Sequence, residues 1–432
     1  MQRVILQVAL DLINSHRAFS IAKDAVKADS NCWLEAGTPL IKSEGMEIIR
    51  NLKQKFPDNI IVADMKVIDT GAIEVEMASK AGADVICILA AANDSTINDA
   101  IKSARKYGSK IMVDLIGVSD KIKRVKELEN FGVDYLCHHI GIDEQMIGKK
   151  PEDLLKKIIN HTNIPVAVAG GLNSETVAKI VDAGASIIIV GGAITKAKNV
   201  FDSIKKINKA IIEKKSVSTK LFKKYGKSEI KKAFSMVSTP NISDAMHKKC
   251  SIHNIRPIKL GFHMVGRALT VQTLDGDWAK PIEAIDKAVK NSILVIDVNG
   301  GKTAIWGELA TLSAKMKGIG GVVINGAVRD LDDIVNMGLP IFTRYISSNA
   351  GEPKGYGEIG AEIQFGGQII RTGDWIIGDD SGVIVVAQEI AQEIANRALD
   401  VKEHENRIRG EIKKGGSLSS VLKLRKWEKK IG

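Results

Sequence analysis

Eight short apolar runs, each followed by a stretch of helical character, fill the first 190 residues, and this alternation limits the chain to very few folds. The runs are Val4–Leu10, Cys32–Glu35, Ile60–Ala63, Val85–Leu89, Lys110–Ile116, Val133–Cys137, Ile164–Val168 and Ile187–Val190. Near-continuous apolar runs of this length read as parallel strands buried on both faces, which require helical crossovers between them. Two connecting stretches end in Lys80-Ala81-Gly82-Ala83 and Asp182-Ala183-Gly184-Ala185, where glycine supplies the helix stop. The fold class expected is α/β, a compact (β/α)8 barrel, with a doubly wound sheet as the competing architecture.

The pattern dissolves after Ala210. Residues 211–221 are polar and basic and read as a linker between a barrel over 1–210 and a second α/β domain over 222–432. That second domain holds glycine-punctuated strands at Ala268–Thr273, Ile293–Val298, Gly321–Ile324, Ile341–Thr343 and Gly382–Val386, a helix at Glu308–Met316, and a charged last helix at Ala387–Ile412. With 44% hydrophobic residues and no apolar run of 18, the chain reads as a cytoplasmic globular protein with no membrane span. The four cysteines are scattered without a Cys/His cluster and read as buried thiols instead of zinc ligands.

The net charge of +11 raises the question of nucleic acid, but the excess lysines sit in two segments, Lys205–Lys232 and Lys402–Lys430, and aromatics make up only 4%. Without aromatic platforms among the lysines a nucleic-acid partner is not expected, whereas a phosphorylated substrate would gain from the positive field. The rival reading, an RNA-associated ribonuclease regulator that binds through its linker and tail, predicts salt-sensitive RNA binding.

Each barrel strand ends near a polar residue: Asp11, Glu35, Asp64 with Lys66, Asp114 and His139. Asp64, Lys66 and Asp69 follow Ile60–Ala63 where strand becomes loop, the place where barrels carry catalytic groups. Several carboxylates with one lysine suit a hard cation such as Mg²⁺ acting as a Lewis acid on an enediolate, with Lys66 held charged as a proton-transfer group. Gly170-Gly171 after the seventh strand and Gly191-Gly192 after the eighth offer backbone N–H groups to a phosphate. The adjacent histidines His138 and His139 are expected to point to opposite sides of their strand.

Residues 1–208 resemble the 3-hexulose-6-phosphate synthases of the orotidine-monophosphate decarboxylase superfamily. The resemblance is carried by Gln7-Val8-Ala9-Leu10-Asp11, Leu34–Ile41, the Asp-x-Lys-x-x-Asp of Asp64–Asp69, Val113–Gly117, His139–Gln145 and both glycine pairs. It implies an enzyme, a Mg²⁺-dependent aldehyde-lyase joining formaldehyde to ribulose 5-phosphate to give arabino-hex-3-ulose 6-phosphate, or the reverse. Glu35 and Asp64 would hold the metal, Asp11 and Asp114 would meet sugar hydroxyls, and Lys66 and His139 would move protons. The resemblance gives the site role to His139 and not His138 through its spacing to Gly141 and Asp143. Asp69 would enter a partner subunit's site, so a homodimer is implied. Related barrels decarboxylate 3-keto-gulonate 6-phosphate through the same enediolate; the glycine pair at 191–192, with no arginine, is closer to the synthases.

In the second half, Gly307-Glu308-Leu309 and the run from Arg329-Asp330 to Asp333 form a polar cluster, whose arginine–aspartate pair offers a carboxylate clamp beside a metal-binding acid, a combination suited to 2-oxo acids. Residues 222–410 resemble the family that contains the regulator of ribonuclease activity A and the class II pyruvate aldolases, through Thr239–Ala245, Gly307–Ala310, Gly321–Asp330 and Asp379–Val383. The resemblance implies either a pyruvate aldolase or oxaloacetate decarboxylase, with Arg329 on the substrate carboxylate and Asp330 on a second Mg²⁺, or a regulatory module. It also implies a trimeric ring.

Overall fold

The computed structural model describes residues 3–219, 223–413 and 415–422. The chain divides into two compact units, one of residues 1–145 with 149–221 and the other of residues 146–148 with 222–432. Among the described residues no helix is long and apolar enough to cross a membrane.

The first unit is a closed parallel barrel of eight strands in sequence order. These are β1 (Ile5–Leu10), β2 (Trp33–Ala36), β3 (Ile61–Val67), β4 (Val85–Leu89), β5 (Lys110–Asp114), β6 (Tyr135–His139), β7 (Val166–Ala169) and β8 (Ile187–Val190). Closure comes from β1 pairing with β8, Ile5 opposite Ile187 through Val8 opposite Val190. The strands read as unbroken apolar runs because both faces are covered. Ala9, Val62, Val85, Cys87, Met112, Cys137, Ala167 and Ile187 fill the interior, and Leu6, Val8, Leu34, Ile86, Ile111 and Val168 pack against the helices. Gly82 and Gly184, just past helices Gly71–Lys80 and Val177–Asp182, have φ of +101° and +103°, a backbone that glycine adopts without strain.

Two expectations need correction. β3 does not stop at Ala63 but runs to Val67, so Asp64 and Lys66 lie within the strand and not in the loop beyond it. The expected linker 211–221 is also shorter. Ile204, Ile207, Ala210 and Ile211 form one buried stripe, so helix Val200–Glu213 continues to Glu213. Beyond it, Val217 exchanges hydrogen bonds with Ser174 (2.9 and 2.7 Å) and the Thr219 N–H donates to Glu175 (2.9 Å), which ties this stretch to the barrel. The boundary at 220–222 and the lysines beyond residue 422 lie outside the described residues.

The second unit is an α/β domain on a ten-stranded mixed sheet. Its parallel centre is Met264–Gln272, Ile293–Asp297, Gly321–Val328 and Ile341–Ile346, and antiparallel Trp375–Asp379 and Gly382–Val386 extend it. Ser238 caps helix Thr239–Ala245 in a reciprocal capping box with Asn241, with Pro240 in the first turn. The last long helix spans Ala391–Lys413 and buries Ile394, Ala395, Ala398 and Leu399 along one stripe.

Candidate active site

At the C-terminal mouth of the barrel, three strands, β3, β5 and β6, bring their polar residues into one hydrogen-bonded chain. Lys66 Nζ lies 3.0 Å from Asp64 Oδ2 and 3.1 Å from Asp114 Oδ2, and the same Asp114 oxygen is 2.9 Å from His139 Nδ1. The other Asp114 oxygen accepts the Ile116 N–H at 2.9 Å. Thr38, two residues past β2, donates its hydroxyl to Asp64 Oδ2 at 2.8 Å. On the floor of the mouth Gln7 Nε2 donates to Glu35 Oε2 at 2.6 Å. Asp11 follows β1 and occupies space left open by Gly37 and Gly191, where an added Cβ would come within 2.2 and 3.1 Å of its oxygens.

The placement of Lys66 depends on an irregularity. Asp64 pairs with Cys87 and Val67 with Ile88, so two consecutive β4 residues face β3 residues three apart, and Met65 and Lys66 bulge out of the ladder. Lys66 has φ of +48°, a left-handed conformation that costs a non-glycine residue about 1–3 kcal/mol. Its ammonium thereby sits between two carboxylates, with 28% of the side chain exposed.

The electrostatics are lopsided. Burial raises the Glu35 carboxyl well above its usual range, and repulsion from Asp64 and then Asp11 adds to this. Asp11 still reaches solvent, yet the protein packed around it raises its carboxyl too, as does Asp64. Burial alone would lower Lys66, but Asp64 and Asp114 outweigh it and hold the ammonium charged. Burial would raise Asp114, but the hydrogen bond and charge of His139, then Lys66 and the Ile116 N–H, hold it low. His138 takes the opposite side of β6: it is 1% exposed, bonded to the Pro151 carbonyl at 3.0 Å, and pushed down to about 4 by burial and by Lys121. Cys32, Cys87 and Cys137 are buried free thiols, and Cys250 is half-buried.

Among the described residues, no three His, Cys, Asp or Glu side chains are grouped to cage an ion by themselves. The chemistry of the donor set still fits a hard dication that keeps waters and takes only one or two protein carboxylates. Glu35, Asp64 and Asp11 repel one another, and a dication beside them would relieve that repulsion. Around the rest of the mouth, Gly170-Gly171 follow β7 and Gly191-Gly192 follow β8, the latter opening the short turn of helix Gly192–Thr195. At Gly170 φ is +112° and an added Cβ would lie 2.4 Å from the Ile140 carbonyl, so the chain passes there only as glycine. Asp69 does not join its own ring: it lies on the exposed loop after β3 and accepts the Thr70 N–H at 2.7 Å.

Sequence reasoning missed Gln7, Thr38 and the bulge. A signal for Gln7 was present, since it is a polar residue inside an apolar strand and in the same alternating phase as Asp11. The bulge had none, because nothing in Met65-Lys66 marks a left-handed residue.

In the second unit, Gly307, Glu308, Arg329 and Asp330 come together. Asp330, at φ +57°, accepts the Glu308 N–H at 3.1 Å and lies 3.4 Å from Arg329 Nε, and the Arg329 N–H donates to the Trp306 carbonyl at 2.9 Å. A Cβ on Gly307 would meet Asp330 Oδ2 at 2.4 Å. Thr311 locks this turn by accepting from Trp306 Nε1 and donating to the Gly307 carbonyl, each at 2.9 Å. Leu309 is 75% exposed, and Asp333 is exposed on helix Leu331–Met337.

Comparison with known proteins follows the same division. Residues 5–207 match the orotidine 5'-phosphate decarboxylase / HUMPS family, and residues 239–385 match the RraA-like Aldolase/RraA family. Over 209 residues the chain is 37% identical to the 3-hexulose-6-phosphate synthase of Bacillus subtilis, covering 48% of this chain and 99% of that one. It is 39% identical over 210 residues to the enzyme of that name from Mycobacterium gastri, with the same two coverages.

Proposed function

The chain belongs, through its barrel, to the orotidine 5'-phosphate decarboxylase / HUMPS family, and from that we propose that the barrel interconverts ribulose 5-phosphate plus formaldehyde and arabino-hex-3-ulose 6-phosphate. The N-terminal unit is a lyase. The observation that carries the finer reading is the chain from Asp64 through Lys66 and Asp114 to His139, which holds one base and one fixed cation at the mouth. Because Asp114 is a carboxylate acceptor, the His139 proton is assigned to Nδ1, which leaves Nε2 as the free base.

In the synthetic direction, His139 takes a proton from C1 of ribulose 5-phosphate, and C1 of the resulting 1,2-enediolate attacks formaldehyde, whose oxygen takes that proton back from His139 as the C–C bond forms. Lys66, held charged, stabilises negative charge on the enediolate oxygens, since a lysine so placed is a poor base. Asp11 and Asp114 orient sugar hydroxyls, and the N–H groups at Gly170-Gly171 and Gly191-Gly192 take the phosphate. Glu35 and Asp64 would hold Mg²⁺, which supplies Lewis-acid stabilisation of the enediolate. A homodimer, with Asp69 reaching the neighbouring mouth, and a cytoplasmic location belong to the same proposal. The test is formaldehyde-dependent consumption of ribulose 5-phosphate in both directions, with and without EDTA. Lys66→Ala and Asp64→Ala should each lower turnover by about 10³-fold. Retained turnover in both refutes the assignment, and CO₂ release from 3-keto-gulonate 6-phosphate would move the barrel to the decarboxylase reading.

For the second unit, the convergence of Arg329 and Asp330 at Gly307-Glu308 supports pyruvate-type chemistry: Arg329 on a 2-oxo acid carboxylate, Asp330 with a divalent cation. A trimeric ring belongs to this reading. Mg²⁺-dependent oxaloacetate decarboxylation tests it, and absence of turnover in protein whose barrel is active would leave the regulatory role in its place.

A further inference from the structure

Gln7 on β1 is fully buried, at 0% exposure, with apolar Ile5 and Ala9 in the same interior phase of its strand. Its Nε2 is committed to Glu35 Oε2 at 2.6 Å, while its Oε1 is buried and has no hydrogen-bond partner. A buried amide carbonyl left in that state is a net cost to folding. An apolar residue at position 7 would avoid this cost and fill the same interior space, so stability alone does not account for the glutamine. What the amide does accomplish is to hold one oxygen of Glu35, a carboxylate 6% exposed and crowded by Asp64 and Asp11, with an uncharged donor. A lysine or arginine in its place would neutralise Glu35 and compete with any cation; an amide fixes the carboxylate and leaves its charge available.

We propose that Gln7 is a positioning residue of the barrel site, acting through Glu35 to set that carboxylate's orientation toward a divalent cation, with its own Oε1 left as an acceptor for an ordered water beside the carboxylates. The role rests on the reading of Glu35 and Asp64 as ligands of the ion. It predicts that the loss on removing Gln7 is felt in metal affinity ahead of sugar affinity.

The experiment is calorimetric titration of Mn²⁺ into the full chain without sugar, for wild type, Gln7→Leu, Glu35→Ala and the double variant, with melting curves for each. Gln7→Leu should weaken Mn²⁺ binding by about 10–100-fold. It should raise the Mn²⁺ concentration for half-maximal turnover by a similar factor while moving KM for ribulose 5-phosphate less than threefold. In the Glu35→Ala background the same change should cost no further affinity. If Gln7→Leu does not fold, Gln7→Asn, which keeps the amide one methylene short of Glu35, carries the same titration. Unchanged Mn²⁺ affinity in a folded Gln7 variant, or an equal loss with and without Glu35, overturns the role of Gln7 alone. A wild-type chain that takes up no Mn²⁺ overturns the metal reading, and this role with it.

Discussion

At the barrel mouth, Asp64 and Asp114 keep 10% and 5% of their side-chain exposure, whereas Arg329 and Asp330 in the second unit keep 46% and 36%. The first cluster draws ionisable groups from β3, β5 and β6 into continuous contact at 2.9–3.1 Å, and the second is a single ion pair at 3.4 Å beside a helix start. Buried charges are expensive unless compensated, so two buried carboxylates joined through a half-buried lysine and carried on to a histidine demand an explanation in chemistry. An exposed pair contributes little to stability and demands none. The same residue types therefore support a specific reaction in one unit and only a class of ligand in the other.

The comparison can be broken most directly at Asp114, which joins Lys66 to His139. Asp114→Ala removes the partner of both and should lower aldol turnover by about 10³-fold, measured in the ribulose 5-phosphate assay with folding checked by circular dichroism. A loss below tenfold would mean that the buried chain is structural.

His138 sharpens the contrast between the two sides of β6. Its pKa falls from an ordinary 6.5 to about 4, so the folded state binds fewer protons than the unfolded state between those values. Stability from this residue is full above pH 6.5 and is lost as pH falls toward 4, to the extent of about 3 kcal/mol. The raised carboxyls of Glu35 and Asp11 act in the opposite sense, gaining as pH falls. Urea melts at pH 7 and pH 4.5 should accordingly show a smaller acid loss in His138→Phe than in wild type, with aldol turnover at pH 7 within about threefold.

In the second unit Arg329→Ala should cut oxaloacetate decarboxylation by about 10–100-fold and leave the barrel assay unchanged. The smallest effect is expected at Asp330, whose carboxylate takes the first free N–H of helix Glu308–Lys317 from a left-handed backbone. Asp330→Asn, which tolerates that backbone and keeps an acceptor, should change thermal stability by less than about 1 kcal/mol, and Asp330→Ala should cost about 1–2 kcal/mol. Equal effects of the two would remove the capping role.

All eight barrel strands were legible in the sequence because both faces of each are covered, so burial writes itself as an unbroken apolar run. The ends of β3 and of helix Val200–Glu213 were misjudged for opposite reasons. β3 carries polar residues inward after Ala63, which imitates a loop, and the last turn of the helix, Ile211-Ile212-Glu213, runs straight into Lys214-Lys215, which imitates the start of a linker. Asp11, Glu35, Asp64, Lys66, Asp114 and His139 stood out as polar groups at apolar strand ends. Thr38 did not, because a hydroxyl at the start of a helix reads equally well as a cap. Which of these residues bond to which was invisible to spacing, since it depends on the bulge and on strand register.

That bulge confines Lys66 to a two-residue detour, after which the β3–β4 ladder resumes at Val67 opposite Ile88. Barrel closure and lysine placement are thus separable traits. Replacements at Met65 and Lys66 change which group the detour presents to the mouth without touching the β3–β4 pairing on either side of it, which makes this detour the first place to insert variation when redesigning such a scaffold.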